Sequence, residues 1–189
     1  MTMKHHPLLA FLLGIWLGGS VLVGAAVAYN FAGFEDLFAR NPKLAQQAGF
    51  LPQDTAAKKS SALWVHAAEL NRVLFQAWNR TQLVLGALVL GLAITWRARR
   101  LATVLLALGL ALVLFTHFGL EPQVVGIGRQ LDFVPRTPPP PQLAAFQDAH
   151  RAYFIADTLR FCLVLAAAGL LLYGGPRNAA SQRPDAARS

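Results

Sequence analysis

Charged residues are scarce in this sequence, and the shortage already indicates its class. Only 14% of the 189 residues are Asp, Glu, Lys or Arg, whereas 55% are hydrophobic. A soluble domain carries roughly 25% charged residues. The shortage is concentrated in long segments that contain no charge at all, a pattern typical of helices that cross a membrane. The composition therefore argues against an ordinary soluble domain.

Cysteine and methionine are almost absent as well. The single cysteine, Cys162, cannot form an intramolecular disulfide or a CxxC metal or redox site. The two methionines, Met1 and Met3, stand at the start of the chain, so no set of sulfur ligands for copper exists. Phosphate-binding loops and the Gly-x-Ser-x-Gly nucleophile pattern are also missing. We therefore expect neither enzyme activity nor a resident cofactor or metal.

In place of these motifs the sequence has four apolar segments, each near the roughly 20 residues that a helix needs to cross the hydrocarbon core. The first segment also resembles a cleavable signal peptide, since Lys4 precedes it and residues 26–28 read Ala-Val-Ala. Its length and its Gly14-x-x-x-Gly18 pattern, which lets helices pack closely in lipid, favour a retained helix. The predicted spans cover residues 8–29, 78–96, 101–120 and 158–174.

The second and fourth helices are predicted to extend beyond the membrane as amphipathic segments. Ser60 and Ser61 can cap a helix whose first part, residues 62–80, has one apolar and one polar face. Four prolines at residues 138–141 form a stiff spacer that can precede a helix but not continue one. The fourth helix is therefore expected to start near Gln142 with a second amphipathic half.

The connections complete the prediction. Asn41-Pro42 and Gly49 are typical of the start and end of a short helix between the first two spans. Residues 121–141 are expected to be a second connection on the same side of the membrane. The sequence thus predicts an all-α fold, an integral membrane four-helix bundle in a single domain over residues 1–176, with a disordered tail over residues 177–189.

Basic residues predict the orientation. Arg97, Arg99 and Arg100 crowd the short connection between the second and third spans. Short loops dense in Lys and Arg stay in the cytoplasm, so we expect this turn and both termini on the cytoplasmic side. The net charge of +8 is explained by these membrane-flanking residues, and nucleic acid is not an expected partner.

Four segments together resemble a known family. They are Gly14-Ile15-Trp16-Leu17-Gly18-Gly19, Arg72-Val73-Leu74-Phe75, Thr116 to Pro122, and Phe146-Gln-Asp-Ala-His150. In this order and spacing they are similar to a bacterial four-helix membrane family, classed as domain of unknown function 4149 and related to eukaryotic transmembrane protein 205. The resemblance spans roughly residues 8 to 174. It implies four helices in a bacterial inner membrane and no established activity.

The two amphipathic segments carry most of the polar chemistry. Their candidate binding residues are His66, Glu69, Arg72, Arg80, His150, Asp157 and Arg160. His150 and Asp157 project within about 20° of each other on one helix, and His66 and Glu69 share a face of the other. One interpretation is a metal site of two imidazoles and two carboxylates. The favoured one is a charge-paired interface in which Asp157 and His150 face Arg72 and the second helix.

The span cores themselves are expected to hold no ionisable residue, only glycines, Ser20, Thr95, Thr103 and Thr116, which leaves no polar path for a transporter. His117, at the end of the third span, fits an interfacial histidine better than a haem ligand. We therefore predict a small membrane protein that acts as a binding or accessory component with an outer polar cap. Its expected partners are the lipid bilayer and a homo-oligomer or another membrane protein. The alternative is a metal- or haem-binding membrane protein in redox or stress handling.

Overall fold

The computed structural model describes residues 7–32, 40–47, 49, 56–135 and 137–173. Throughout these residues the chain is helical or connecting, with no strand. Four helices are long and apolar enough to cross a membrane, over Pro7–Asn30, Ser61–Thr95, Arg100–Gln130 and Gln142–Leu172. The predicted all-α, four-helix membrane architecture is confirmed. The predicted disordered tail lies outside the described residues.

Six α-helices and one π-helical turn make up the described chain. They are α1 (Pro7–Ala32), α2 (Pro42–Gln47), α3 (Ala56–Thr95), α4 (Arg100–Phe115), the π turn (Thr116–Leu120), α5 (Glu121–Gln130) and α6 (Gln142–Tyr173). At about 1.5 Å of rise per residue, α3 and α6 reach about 60 Å and 48 Å, well beyond the roughly 30 Å of a hydrocarbon core. The predicted extension of these two helices is therefore present.

Two of the helix ends predicted from the sequence, after α2 and before α6, are present in the structure, whereas the predicted start of α3 is not. Gly49 follows α2 with a φ of 79°, a left-handed conformation that glycine adopts without a steric penalty. α6 starts at Gln142, directly after the four prolines. By contrast α3 starts at Ala56, so Ser60 and Ser61 lie inside its first turns and are not its N-cap.

The third span is longer than predicted. Residues 121–130, expected to belong to a loop, continue the helix as α5. Pro122 lies in the first turn of α5, directly after the π turn. A proline inside a helix lacks an N–H and crowds the carbonyl four residues earlier, here that of Phe118. The wider π turn contains Phe118 and gives the ring room, so the helix passes Pro122 without ending.

The bundle has a defined order of neighbours. α1 packs against α3 and α6, and α4 packs against the same two helices, so that α3 and α6 stand diagonally across the bundle. The tight turn at Arg97, with a φ of 51°, joins α3 to α4. We call the end of the bundle that carries Arg97, Arg99 and Arg100 the arginine end. The polar stripes of α3 and α6, on the diagonal, extend from the opposite end.

The half of the bundle nearest the arginine end has an apolar core. Its fully buried side chains include Leu13, Val89, Ala93, Ala102, Leu106, Val113, Val164 and Ala167. Close approach depends on glycine at one crossing: a Cβ on Gly86 would lie 2.8 Å from Leu110 Cδ1 and 2.9 Å from the Trp16 ring. In this half the helices are held together mainly by the fit of apolar side chains.

Candidate functional site

A groove opens at the end of the bundle opposite the arginine end. It has a volume of about 700 Å³ and lies between the extended parts of α3 and α6 and the end of α5. Its walls are formed by Ser61, Trp64, Val65, Ala68 and Arg72 of α3, Gly128 of α5, residues 131–135 after it, and Leu143, Phe146 and Gln147 of α6. Ligand sites of this size are usually mostly apolar, with a few polar groups that fix orientation. The groove has this composition.

The level of the groove along the bundle follows from the helix lengths. Phe75, Leu120 and Tyr153 each lie about 30 Å along their helices from the arginine end. They pack together with Ala156 and Val124 in a small apolar layer. The groove residues lie beyond this layer, so a hydrocarbon core about 30 Å thick that begins at the arginine end would stop short of the groove.

Two aromatic side chains beside the groove are exposed at this level. Trp64 is 54% exposed and Phe133 is 68% exposed. Both belong to the part of the protein beyond the apolar layer, which a hydrocarbon core about 30 Å thick that begins at the arginine end would not reach. They add exposed apolar surface beside the groove.

Arg72 holds the groove wall together. Its guanidinium donates to both carboxylate oxygens of Asp132 at 2.8 Å and to Glu69 Oε2 at 2.8 Å. Arg129 donates to the other oxygen of Glu69 at 3.0 Å. Gly128 lies beside this cluster, and a Cβ there would lie 3.3 Å from the Phe146 ring and 3.4 Å from Arg72 Nη2. Among the described residues, the charges at the groove are thus paired with one another.

The polar stripes of α3 and α6 do not meet as the sequence analysis expected. Arg72 pairs with Asp132, after α5, whereas Asp157 accepts from Arg160 Nη2 at 2.7 Å on its own helix. The two residues lie at different levels of the bundle, since Arg72 is about 35 Å and Asp157 about 24 Å along their helices from the arginine end. At the level of Arg72, its partner comes from the segment that follows α5. The expected contact between Asp157 and Arg72 is therefore wrong, while the internal pairs Glu69–Arg72 and Asp157–Arg160 are present.

The remaining predicted site residues lie apart from these pairs. His66, Arg80 and His150 are exposed. His150 stacks on Phe146, with ring centroids 5.7 Å apart. No three His, Cys, Asp or Glu side chains of the described residues lie close enough together to hold a metal ion. The four-residue metal site considered from the sequence is not assembled.

The glycines of the Gly14-x-x-x-Gly18 pattern face outward. A Cβ added at Gly14 or at Gly18 would meet no other atom within 4 Å. Among the glycines of α1, the adjacent Gly19 is the one in close contact, because a Cβ there would overlap the Trp78 ring. Any packing role of Gly14 and Gly18 would have to involve another molecule, and it stays a prediction.

Arg160 contradicts the expectation that the span cores lack ionisable residues. It lies about 20 Å from Tyr173 along α6, yet its side chain points into the bundle and is only 1% exposed. Besides Asp157, it approaches Ser20 Oγ of α1 at 3.3 Å from both Nη1 and Nη2. A buried charge in a membrane helix requires such partners.

Sequence reasoning missed a network of buried polar groups, three amide and ring side chains, a tyrosine and one glutamate, in the same half. Asn79 lies at its centre: its Nδ2 donates to Glu121, and its Oδ1 accepts from Tyr153 at 3.0 Å and from Gln82 at 3.4 Å. Gln82 in turn accepts from Trp16 Nε1 at 3.0 Å. Asn79 and Gln82 are each 1% exposed. The network joins α1, α3, α5 and α6.

The signal for this network was present in the sequence. Ala67, Asn71, Asn79 and Gln82 share the buried face of α3 with Leu85 and Val89. An amide on the apolar face of a helix must find a buried partner. Counting only charged residues overlooked these positions.

Comparisons with known protein families, with curated proteins and with solved structures found no match for this chain. The interpretation of the groove and the network therefore depends on their own geometry. The resemblance to a bacterial four-helix membrane family stays a prediction.

Proposed function

We propose that this protein is a membrane-embedded binding component that holds a small uncharged amphiphile in the groove beside Arg72. The observation that carries the proposal is the groove itself, about 700 Å³ of mostly apolar wall between α3, α6 and the end of α5. Pockets of 300–1,000 Å³ with this composition typically take molecules of roughly drug size.

The position of the groove supports an amphiphile in particular. The end of the groove nearest the arginine end is at Arg72. It lies about 35 Å along α3 from Thr95, just beyond a hydrocarbon core of about 30 Å. A molecule that leaves the bilayer at that level would meet Trp64, Phe133 and Phe146 first. Its apolar part would stay shielded from water, and Gln147 and Ser61 could bond its polar end.

The charge pairing supports an uncharged head group. Arg72 already donates to Asp132 and Glu69. An anionic ligand would have to displace one of these carboxylates, and breaking a partly buried pair leaves a charge without its partner. A neutral or zwitterionic head group avoids that cost.

The proposed setting is a bacterial inner membrane with both termini in the cytoplasm. The arginine end carries Arg97, Arg99 and Arg100 in a short connection, and such loops stay in the cytoplasm. In this orientation the groove opens to the outside. Membership of the bacterial four-helix family, and assembly with a second copy or with another membrane protein, belong to the same proposal.

Photocrosslinking in lipid nanodiscs tests the binding proposal. The probe is a monoacylglycerol whose acyl chain carries a diazirine, and the readout is mass spectrometry of labelled peptides. We expect labels on Trp64, Phe133 and Phe146 that excess unlabelled monoacylglycerol removes. A fatty acid with the same diazirine chain should label these residues less, because its carboxylate meets paired charges.

Two matched variants make the test specific. Ala68→Phe fills the groove and should reduce the labelling several-fold. Ala77→Phe adds the same ring to an exposed position of the same helix outside the groove and should leave labelling unchanged. Labels spread over lipid-facing residues such as Leu88 and Leu114, at a level that Ala68→Phe does not alter, would contradict the proposal.

A further inference from the structure

A bulky side chain occupies a strained backbone position at the rim of the groove. Among the described residues, only Arg97 and Phe133 are non-glycine residues with a positive φ, and that of Phe133 is 60°. For a bulky residue this left-handed conformation is a genuine outlier. Phe133 also lines the groove, and its side chain is 68% exposed. One residue therefore combines a strained backbone with an exposed aromatic ring.

The turn that carries Phe133 is held in place by its neighbours. The Val134 N–H donates to the Leu131 carbonyl at 3.3 Å, which closes a four-residue turn with Phe133 in third position. Leu131 is 2% exposed, and both carboxylate oxygens of Asp132 accept from Arg72 at 2.8 Å. A turn that needs a positive φ at its third residue favours glycine or asparagine there. The turn itself therefore gives no reason for a phenylalanine.

A ligand beside Phe133 would lie outside the bilayer. Gln130, the last residue of α5, lies about 45 Å along the third span from Arg100. A hydrocarbon core about 30 Å thick that begins at the arginine end would stop about 15 Å short of it. The apolar part of an amphiphile at this level would therefore meet water on the open side of the groove, and covering it with apolar surface is favourable.

We infer that Phe133 is the cover of the groove: its ring packs onto the apolar part of the bound amphiphile and shields it from water. The inference rests on the proposed function of the groove. Because Leu131 and Asp132 hold the turn, the ring moves by rotation about its own side-chain bonds, which takes picoseconds to nanoseconds for an exposed residue. Strained backbone positions cluster at ligand clamps, where the surrounding structure maintains them.

The other exposed aromatic side chain of the groove differs in this respect. Trp64 is 54% exposed and lies within α3. Its backbone is helical, so its position in the chain carries no comparable strain. Phe133 is thus the aromatic side chain of the rim that is retained against the preference of its own backbone.

Fluorine NMR in lipid nanodiscs tests the cover directly. A 4-fluorophenylalanine replaces Phe133, and a water-soluble gadolinium chelate broadens its signal in proportion to its accessibility. We expect added monoacylglycerol to reduce this broadening several-fold. In Ala68→Phe, whose groove is filled by the new ring, the same addition should leave the broadening unchanged.

Two substitutions separate the ring from the backbone. Phe133→Asn relieves the backbone and removes the ring. Its unfolding temperature should be equal to or higher than that of the unaltered protein, while labelling of Trp64 and Phe146 by the diazirine monoacylglycerol should fall several-fold. Phe133→Tyr keeps the ring and should keep the labelling. A purely structural role of Phe133 would instead make stability and labelling fall together.

The outcomes distinguish the inference from the proposed function. An unchanged accessibility of the fluorine, while monoacylglycerol labels Trp64 and Phe146, would overturn the inference and leave the proposed function standing. Full labelling in Phe133→Asn would do the same. Absence of competed labelling at Trp64 and Phe146 in the unaltered protein would overturn the proposed function, and the inference with it.

Discussion

The two ends of the bundle are built on different principles. Near the arginine end, the helices touch through aliphatic side chains, alanines and a few glycines. At the opposite end, Asn79, Gln82, Glu121, Tyr153 and Arg160 join the same helices by hydrogen bonds. Apolar side chains gain little by leaving lipid for a helix interface, whereas a buried polar group must find its own partner. The opposite end therefore specifies which helices are neighbours.

The same division separates the half that serves as a scaffold, near the arginine end, from the half that carries the candidate functional groups. The groove, the paired charges of Arg72 and the His117–Glu121 pair all lie in the half opposite the arginine end. A substitution should therefore affect the protein by different mechanisms in the two halves. Three experiments examine this contrast.

The largest effect is expected from Asp157→Asn. It leaves Arg160, which is 1% exposed, without its carboxylate partner. Breaking a buried ion pair by removing one partner costs about 3–5 kcal/mol, and the partial exposure of Asp157 points to the lower limit, about 3 kcal/mol. Unfolding in SDS mixed micelles measures the difference. Asp148→Asn, an exposed carboxylate on the same helix, should change the free energy of unfolding by less than about 0.5 kcal/mol. Equal losses in the two variants would mean that Arg160 does not depend on Asp157.

A smaller loss of stability is expected from Gly19→Ala, at a position between the apolar core and the hydrogen-bonded half of the bundle. The added Cβ would overlap the rigid Trp78 ring, and overpacking of this kind costs about 1–3 kcal/mol. Gly14→Ala on the same helix meets nothing within 4 Å and should be neutral or stabilising by up to about 1 kcal/mol. A loss of stability in Gly14→Ala that depends on protein concentration would instead reveal packing against a second copy.

The smallest effect concerns the ion pairs beside the groove. A double-mutant cycle with Arg72→Gln and Asp132→Asn should give a coupling of about 1 kcal/mol, since the pair is bidentate but partly open to water. The combination of Arg72→Gln with Asp157→Asn should be additive within about 0.5 kcal/mol, because the two residues have different partners. Coupling between residues 72 and 157 would show that the stripes of α3 and α6 do meet.

The sequence predicted what depends on periodicity and composition. Uncharged segments identified the four helices, and Gly49 and the four prolines marked ends that the structure has. It did not predict which helices stand on the diagonal, because both amphipathic stripes looked like each other's partner. The third helix also ran past Pro122, since a π turn makes a proline compatible with a continuing helix. Both errors concern the groove, because one of its walls comes from residues 128–135, in the segment that was expected to be a loop.

The central claim is that the end with the groove faces outside the cell, opposite the arginine end. Cysteine labelling in intact cells tests it most directly, in a Cys162→Ser background that removes the native thiol. Val134→Cys lies in the groove wall, and Arg100→Cys lies at the arginine end and leaves two arginines in the turn. A membrane-impermeant maleimide should label Val134→Cys in intact cells and Arg100→Cys only after the membrane is permeabilised. Labelling of Arg100→Cys in intact cells, with Val134→Cys protected, would contradict the account.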